Sequence, residues 1–253
     1  MEKLHDLLFE LSSNERINIV NALRNESLKL STLSKKLGLT NPETLRQLRR
    51  LSDIGLVLKD SSGFYDVSPY GCLVLKLLEG VEFLAKNQVY FSTYETSFIP
   101  YEYINRFGEL LSSSTEYEPF KVLEKTNQIL KEAEEFAWVI SNQNLTLYLP
   151  TLRGKLESGL EFRLILPEGS YLSEEEALIP SKTPGMHKRT LSDIRIRLVV
   201  TDKYAGFSLP DRENMVDYRA IMSDDPQFYK WCKDLFLYYW EKSRPHIPYF
   251  KKN

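Results

Sequence analysis

Two short helix-length segments joined by a glycine turn constrain this chain more than any other feature. Ser31 is placed to cap a helix over 32–37, and Gly38 ends it, because glycine readily takes the left-handed conformation that follows a helix. Asn41 is placed to cap the next helix, whose first residue, Pro42, gives up only an N–H that would have no partner there. The residues between the segments allow only a tight turn, so the two helices must pack against each other.

The segments on either side of this pair are also short. Residues 4–11 and 15–24 carry leucine, isoleucine and valine at helical spacing, and 28–30 form a short extended piece. After the second helix, which runs to about Ile54, two β-prone runs surround the glycine-containing tip 60–63 and predict a hairpin. Helix, strand, helix, turn, helix and hairpin is the order of a winged helix-turn-helix, a DNA-binding unit.

The second helix of the pair is predicted to have an apolar and a polar face. Leu45, Leu48 and Leu51 fall on one side of it. The opposite side carries arginine and amide side chains, which read guanine and adenine edges or bind phosphate. We expect base contacts from Asn41, Thr44, Arg46, Gln47 and Arg50. We expect phosphate, turn or wing contacts from Lys35, Lys36, Thr40, Arg49, Lys59, Ser61 and Ser62.

Positive charge is concentrated where this unit lies. Residues 28–60 hold seven Lys/Arg against three Asp/Glu, a net charge of +4, whereas the whole chain has a net charge of −2. A local positive field attracts DNA phosphates. Two alternatives stay open: an ordinary solvated amphipathic helix over 41–54, and a regulatory module that acts through protein contacts without reading DNA.

Several other classes of protein are not predicted. Cys72 and Cys232 lie far apart and no Cys/His cluster has zinc-ligand spacing, so neither a disulfide framework nor a metal site is expected. Glycine-rich phosphate loops are absent from the sequence, and no cofactor is predicted. The N-terminal residues lack a signal-peptide core and no apolar run is long enough to span a membrane, so we expect a cytoplasmic protein.

Residues 69–92 predict a helix that joins two domains. The winged helix-turn-helix of 1–68 precedes it, and a larger domain of 95–253 follows. The helix has an apolar stripe made of Leu73, Leu77, Val81 and Leu84. This stripe is suited either to a second copy of the chain or to the chain's own second domain. Because one short winged helix reads few base pairs, we expect a homodimer.

The domain from 95 onward alternates helices with strands, which predicts an α/β domain and an α+β class for the whole chain. An amphipathic helix is expected over 120–140 and an aromatic helix over 226–242. The segment 168–190 is charged and proline-rich, and its consecutive Glu174, Glu175 and Glu176 are expected at a helix start. Strands are expected at 144–150, 160–166, 194–201 and 205–209.

Two parts of the chain resemble known regulators. The stretch that begins ERINIVNALRNESLKL and ends at Gly71 looks like winged-helix regulators of the ArsR/MarR type. In the second domain, IRIRLVVTDKYAGFSLP, the pair Asp217-Tyr218 and the aromatic ending DDPQFYKWCKDLFLYYWEKS resemble archaeal regulators of the FilR type. The resemblance covers nearly the whole chain. It implies a transcription regulator with a ligand-sensing C-terminal domain.

The second domain is also similar to the phospholipase D-like fold, as in sugar-responsive regulators of the TrmB type. The catalytic members of that fold carry the pattern His-x-Lys-x4-Asp. Here Lys188 follows His187 directly, and Asp193 stands six residues after the histidine. The spacing is wrong for a histidine nucleophile and a phosphate-binding lysine on one strand face, so no enzyme activity is expected.

Three arginines of the second domain are candidates for ligand binding. Arg195 and Arg197 alternate within a predicted strand and would share a face, and Arg163 lies in another predicted strand. A guanidinium fork matches carboxylate and phosphate oxygens, so we expect a small anionic effector. The alternative is an exposed strand face whose arginines pair with nearby acids.

Overall fold

The computed structural model describes residues 2–141, 145–169, 184–213 and 215–245. The chain forms two compact units, Met1–Leu78 and Glu79–Asn253. The first is mainly helical with a small sheet, and the second is built on an eight-stranded sheet with helices. The predicted α+β class is therefore confirmed.

The first unit has the predicted order of helix, strand, helix, turn, helix and hairpin. Its elements are α1 (Glu2–Leu11), α2 (Asn14–Leu23), β1 (Leu28–Lys29), α3 (Leu30–Leu37), α4 (Asn41–Asp53), β2 (Val57–Lys59) and β3 (Phe64–Val67). The strands form an antiparallel sheet in the order β1-β3-β2, with Leu28 opposite Tyr65 and Val57 opposite Val67. The hairpin of β2 and β3 is the wing.

An aliphatic core holds these elements together. Ile19 and Leu23 of α2, Leu33 of α3, and Leu48 and Leu51 of α4 are all at most 1% exposed. Each comes from the apolar positions of its helix, and burying one such side chain contributes about 1.5–3 kcal/mol. The apolar pattern of the sequence therefore places these helices correctly.

Helix α5 (Pro69–Lys86) follows the wing, and the division between the two units falls within it. Val74, Leu75 and Leu78 pack on the aliphatic core of the first unit. In its first turn, a Cβ added to Gly71 would lie 2.3 Å from the carbonyl oxygen of Leu56. That close approach requires glycine, so α5 is tied closely to the start of the wing.

The helix predicted over 69–92 is in fact two helices. Helix α5 ends at Lys86, and α6 (Gln88–Thr93) begins after Asn87. The side-chain amide of Asn87 donates to the carbonyl oxygen of Phe83 at 2.9 Å, and asparagine side chains that bond to the backbone compete with helical hydrogen bonds. The interruption thus has a local cause.

The second unit continues with short elements and then a large sheet. Its helices after α6 are α7 (Tyr101–Ile104), α8 (Pro119–Glu132), α9 (Leu149–Glu157) and α10 (Pro226–Lys242), with 3-10 turns at Phe107–Leu110 and Thr146–Tyr148. Its strands are β4 (Ser114–Glu116), β5 (Phe136–Ile140), β6 (Glu161–Pro167), β7 (Met186–Leu191), β8 (Arg197–Thr201), β9 (Ala205–Ser208), β10 (Ala220–Ser223) and β11 (Arg244–Pro245).

The strand order of the large sheet is β11-β7-β6-β5-β8-β9-β10-β4. Strands β5, β6 and β7 are parallel neighbours, whereas the remaining pairs are antiparallel. The sheet carries different cores on its two faces. One is aromatic and includes Trp138, Phe207 and Trp231, the last from α10. The other is largely aliphatic and includes Val139, Val199 and residues of α8 and α9.

Two predicted elements of the second unit were wrong. The helix over 120–140 ends at Glu132, and FAWVI forms β5, because a continuous run of aromatic and branched residues suits a strand buried on both faces. In place of a strand over 144–150, the described residues form a 3-10 turn and then α9, whose early proline favours a helix start. The sequence assigned no strand to 168–190, which contains most of β7. The helix start expected at 174–176 lies outside the described residues.

Candidate nucleic-acid interface and a buried arginine in the second unit

The turn between α3 and α4 is built by two local features. Gly38 has φ +67°, in the left-handed region that glycine takes without strain. Thr40, and not Asn41, caps α4, because its hydroxyl oxygen accepts a hydrogen bond from the Glu43 N–H at 3.4 Å. Asn41 is instead an exposed first residue of the helix, beside the exposed Thr40. Both predicted contact residues thus remain accessible at the start of α4.

Two arginines define the exposed face of α4. Arg46 and Arg49 are exposed and stand three residues apart, so they lie on the same side of the helix. Neither has an ion-pair or hydrogen-bond partner among the described residues. Arg49, which the sequence grouped with the phosphate, turn or wing contacts, therefore lies on the same exposed face as Arg46.

Two predicted base contacts, Thr44 and Gln47, are wrong for this structure. Thr44 is fully buried and donates to the carbonyl oxygen of Thr40 at 3.0 Å. Gln47 is 7% exposed, and its side-chain oxygen accepts from Nη1 of Arg16 at 3.2 Å. Because its partner Arg16 lies on α2, the Gln47 amide faces the interior. The buried face of α4 is therefore rotated relative to the face that the leucine spacing predicts. A side chain held inside cannot meet a base edge.

Arg50 is half-buried and fully engaged. Its Nε and Nη2 donate to the two carboxylate oxygens of Glu10 at 2.9 and 2.7 Å, and its guanidinium lies 5.5 Å from the ring centre of Phe9. The hydrogen bonds to Glu10 raise the pKa of Arg50 above its ordinary value. A bidentate pair of this kind competes with a guanine for the same fork of donors. Sequence spacing missed Glu10, which lies forty residues away.

The other predicted contacts are on the surface. Lys35 and Lys36 are exposed in the last turn of α3, and Lys36 pairs with Glu26 at 2.6 Å. At the wing, Ser61 and Ser62 are exposed in the tip, which Asp60 organises by accepting from the Ser62 N–H at 2.9 Å. Lys59 is exposed and lies 5.3 Å from the ring centre of Tyr65. Lys29, which the sequence did not single out, lies over Phe64 of the wing at 4.9 Å.

In the second unit, Arg163 lies on the aromatic face of the sheet. It is opposite Trp138 in the register of β5 and β6, with its guanidinium 4.5 Å from that ring centre. A second indole, Trp240, lies 5.3 Å away, and Glu161 pairs with Arg163 at 2.5 Å. These contacts already satisfy the cation, so Arg163 is best explained by packing on α10.

The expected pair of arginines on one strand face does not form. Strand β8 begins at Arg197, so Arg195 precedes it, and strand alternation does not apply to that residue. Arg195 pairs with Asp193 at 3.0 Å and lies over Phe98. Arg197 is buried on the aliphatic face, where its Nη2 donates to the Tyr148 hydroxyl at 3.0 Å. The three candidates therefore occupy three different surroundings.

Other chemical sites are limited within the described residues. No group of three or more metal-binding side chains occurs in 2–141, 145–169, 184–213 and 215–245. No helix in those ranges is long and apolar enough to cross a membrane. His187 is exposed on β7, opposite Arg163 of β6.

Two family models match the chain. The arsR family of bacterial regulatory proteins matches residues 13–59, and the middle domain of the methanogenesis regulatory protein FilR1 matches residues 119–242. The chain is thus a DNA-binding transcription regulator with a winged helix-turn-helix. More particularly, its second unit contains the match to the FilR1 middle domain. This confirms the resemblance predicted from the sequence.

No curated protein matches the chain. Among solved structures, TrmBL2, an archaeal chromatin protein, is 15% identical over 92% of this chain and 94% of its own, with a TM-score of 0.45. NucT from Helicobacter pylori is 13% identical over 53% of this chain and 98% of its own, with a TM-score of 0.42. The phospholipase D family member Nuc from Salmonella typhimurium is 11% identical over 53% of this chain and 97% of its own, with a TM-score of 0.40. Because these scores lie below 0.5, no function follows from them, and the phospholipase D-like similarity stays a prediction.

Proposed function

We propose that the exposed face of α4 reads DNA in the major groove, with Arg46 and Arg49 as its central contacts. The observation that supports this is a pair of exposed arginines three residues apart on the helix that follows the turn, neither of which has a partner among the described residues. Recognition helices of this class present such a face to base edges and phosphates. Asn41, Lys35, Lys36 and the wing would then contact the flanking backbone.

Alanine substitution of the two arginines tests this assignment. Arg46→Ala and Arg49→Ala should each cost on the order of 1–3 kcal/mol in affinity for the chain's own upstream DNA where they make a bidentate base contact. Lys230→Ala, which removes an exposed cation of α10, is the charge-matched control. If both variants bind DNA as tightly as the control at matched salt, the assignment of this face of α4 to DNA contacts is refuted. That result would favour a module that acts through protein contacts.

The salt dependence of binding separates the two kinds of contact. A residue that contacts phosphate lowers the slope of log affinity against log salt by about 1 when it is removed, whereas a base contact relaxes sequence preference. We expect Lys35→Ala to change the slope and Arg46→Ala to change the preference. Measurements on operator and scrambled DNA at several salt concentrations give both quantities.

We further propose that the chain binds DNA as a homodimer through the apolar stripe of α5. Leu73, Leu77 and Val81 are 66%, 74% and 59% exposed, and Leu84 is 38% exposed. Their spacing of three or four residues is that of a helix-pairing seam, and a contiguous exposed stripe of this kind favours association. Leu77→Glu should convert the dimer to a monomer in light scattering, whereas Lys76→Glu, at a neighbouring exposed position, should not.

The second unit is proposed to sense a small anion and to alter DNA affinity. Its buried, incompletely bonded Arg197 supports an anion more than a neutral ligand. A ligand shifts DNA binding only by its differential affinity for the two states, and such couplings are typically about 1–3 kcal/mol. Thermal-shift screening with metabolite anions, followed by operator binding with and without each hit, tests both parts of this proposal. No catalytic role is proposed for His187 and Lys188.

A further inference from the structure

A row of buried polar side chains crosses three adjacent strands on the aliphatic face of the second unit. Arg197, at the start of β8, lies opposite Ser208 at the end of β9. On its other side, Ile140 of β5 pairs with Leu198, so Ser141 is the residue opposite Arg197. All three side chains are buried, and alternation from Val139 and Val199 puts them on one face.

The Arg197 guanidinium is only partly bonded inside the protein. The residue is 9% exposed, and its Nη2 donates to the Tyr148 hydroxyl at 3.0 Å. Its Nη1 is buried and has no hydrogen-bond partner among the described residues. A buried arginine is normally paired, because a buried donor without an acceptor is desolvated without a compensating hydrogen bond. Nη1 is therefore open to an acceptor that the described residues do not supply.

The Arg197 guanidinium also lies over Tyr218, whose ring centre is 4.8 Å away. Tyr218 has φ +70°, and no other non-glycine residue among those described has a positive φ. Asp217 fixes this turn, since its carboxylate accepts from the Tyr94 hydroxyl at 2.6 Å and from the Arg219 N–H at 3.1 Å. Such backbone outliers are retained where they hold a side chain against a ligand group.

The position of the row in the sheet suits a ligand. Strands β5 and β6 are parallel, and Ser141 is the first residue after β5. In sheets with parallel strands, ligands bind outside the carboxyl ends of the strands. Tyr148, in the turn that follows the same strand end, places its hydroxyl beside Arg197.

We propose that Arg197 binds an oxyanion, a carboxylate or a phosphate ester, together with the serine hydroxyls of its row. Nη1 supplies a charge-assisted donor, and serine hydroxyls both donate and accept. This inference rests on the proposed sensing function and narrows it to one arginine. Arg163 and Arg195 are not part of the site, because each is already paired with a carboxylate.

Anion binding by the full chain tests the site directly. Sodium phosphate and sodium acetate are compared with sodium chloride at matched ionic strength, and thermal unfolding is followed by tryptophan fluorescence. All three tryptophans lie in the second unit, so the signal reports on that unit. We expect phosphate or acetate to raise the melting temperature in a concentration-dependent way, and the more effective anion identifies the class of ligand.

Three arginine variants localise the effect. Arg197→Met should weaken the apparent affinity for the anion about tenfold or more, whereas Arg163→Met and Arg195→Met should leave it within about twofold of wild type. Arg197→Lys keeps the positive charge but lacks the forked donors of a guanidinium, so it should also bind the anion more weakly. This variant provides the test if Arg197→Met does not fold.

Several outcomes would overturn the site. One is an anion-dependent rise in melting temperature that persists in both Arg197 variants. Another is a loss of anion affinity in Arg163→Met equal to that in Arg197→Met. A third is no rise in melting temperature with either anion, which would mean that water satisfies Nη1. None of these affects the proposed DNA contacts of Arg46 and Arg49. Conversely, anion binding that depends on Arg197 but leaves operator affinity unchanged supports the site and refutes the sensing function.

Discussion

Arg16 in the first unit and Arg197 in the second are buried to a similar degree, at 6% and 9% exposure, yet their surroundings differ. Arg16 donates to the Glu10 and Phe9 carbonyl oxygens and to Gln47, and its Nε lies 3.0 Å from the Glu10 carboxylate. Among the described residues, Arg197 has one hydroxyl partner, and its Nη1 has none.

The contrast shows that burial of a charge does not by itself indicate a ligand site. The chain satisfies Arg16 with its own acceptors, which join α1, α2 and α4, so that arginine is structural. Arg197 has fewer acceptors than donors, and a buried donor left unpaired typically costs about 1–3 kcal/mol. Completeness of the hydrogen bonds separates the two roles.

The largest expected loss of stability comes from removing the negative charge of Glu10, with which both Arg16 and Arg50 pair. Glu10→Gln leaves a buried guanidinium without its carboxylate, which should lower the stability of the first unit by about 3–5 kcal/mol. Urea unfolding of the full chain, followed by far-UV circular dichroism, measures the loss, and tryptophan fluorescence gives the second unit as an internal reference. A loss under 1 kcal/mol would remove the structural role assigned to this network.

Replacement of Arg197 should have a smaller effect of the opposite sign. In phosphate-free buffer, Arg197→Met removes an unpaired buried donor and should leave the second unit unchanged or more stable by about 1 kcal/mol. Arg16→Met, by contrast, should destabilise the first unit. If both variants lose stability equally, the two arginines have equivalent structural roles, and incomplete bonding does not distinguish Arg197 from Arg16.

Alkaline pH should destabilise the second unit through its buried tyrosines. Burial is the main cause that raises the pKa of Tyr103 to about 12, and that of Tyr90, Tyr94 and Tyr239 also lies above the ordinary value. A raised pKa in the folded state means that stability is complete below the unfolded value of 10.0 and is lost as pH rises through the folded value.

The second unit should therefore unfold more easily as pH rises from 10 toward 12, and Tyr103→Phe should make this dependence shallower. Urea titrations followed by tryptophan fluorescence at several pH values measure the slope. Slopes that are identical in wild type and Tyr103→Phe would contradict the assignment to Tyr103.

The smallest effect is expected at an exposed pair. Lys36 and Glu26 are 2.6 Å apart, but their side chains are 48% and 53% exposed. Glu26→Gln should change the stability of the first unit by about 0.2–1 kcal/mol or less, because water and salt screen such pairs. Glu26→Gln is the control for Glu10→Gln. If both variants lose the same amount of stability, burial does not determine how much an ion pair contributes.

Local sequence signals were sufficient to predict the winged helix-turn-helix. Leucine spacing, the glycine at 38 and the proline at 42 are local signals, and they predict the order of α2, α3, α4 and the wing. The aromatic final helix over 226–242 was also predicted correctly, since Asp225 caps it and Pro226 begins it. Local propensities agree with the fold in these segments, so their pattern is sufficient.

The side chains that face outward from α4, and the incomplete bonding of Arg197, depend on contacts between distant parts of the chain. Gln47 and Arg50 are held by Arg16 and Glu10, which are distant in sequence, so helical spacing alone cannot reveal the contact. Likewise, strand alternation suggested Arg195 and Arg197 as equals, but β8 begins at Arg197 and buries it beside Tyr148. The physical reason is that polar side chains are satisfied by whichever partners the fold brings near, and a local pattern contains no information about those partners.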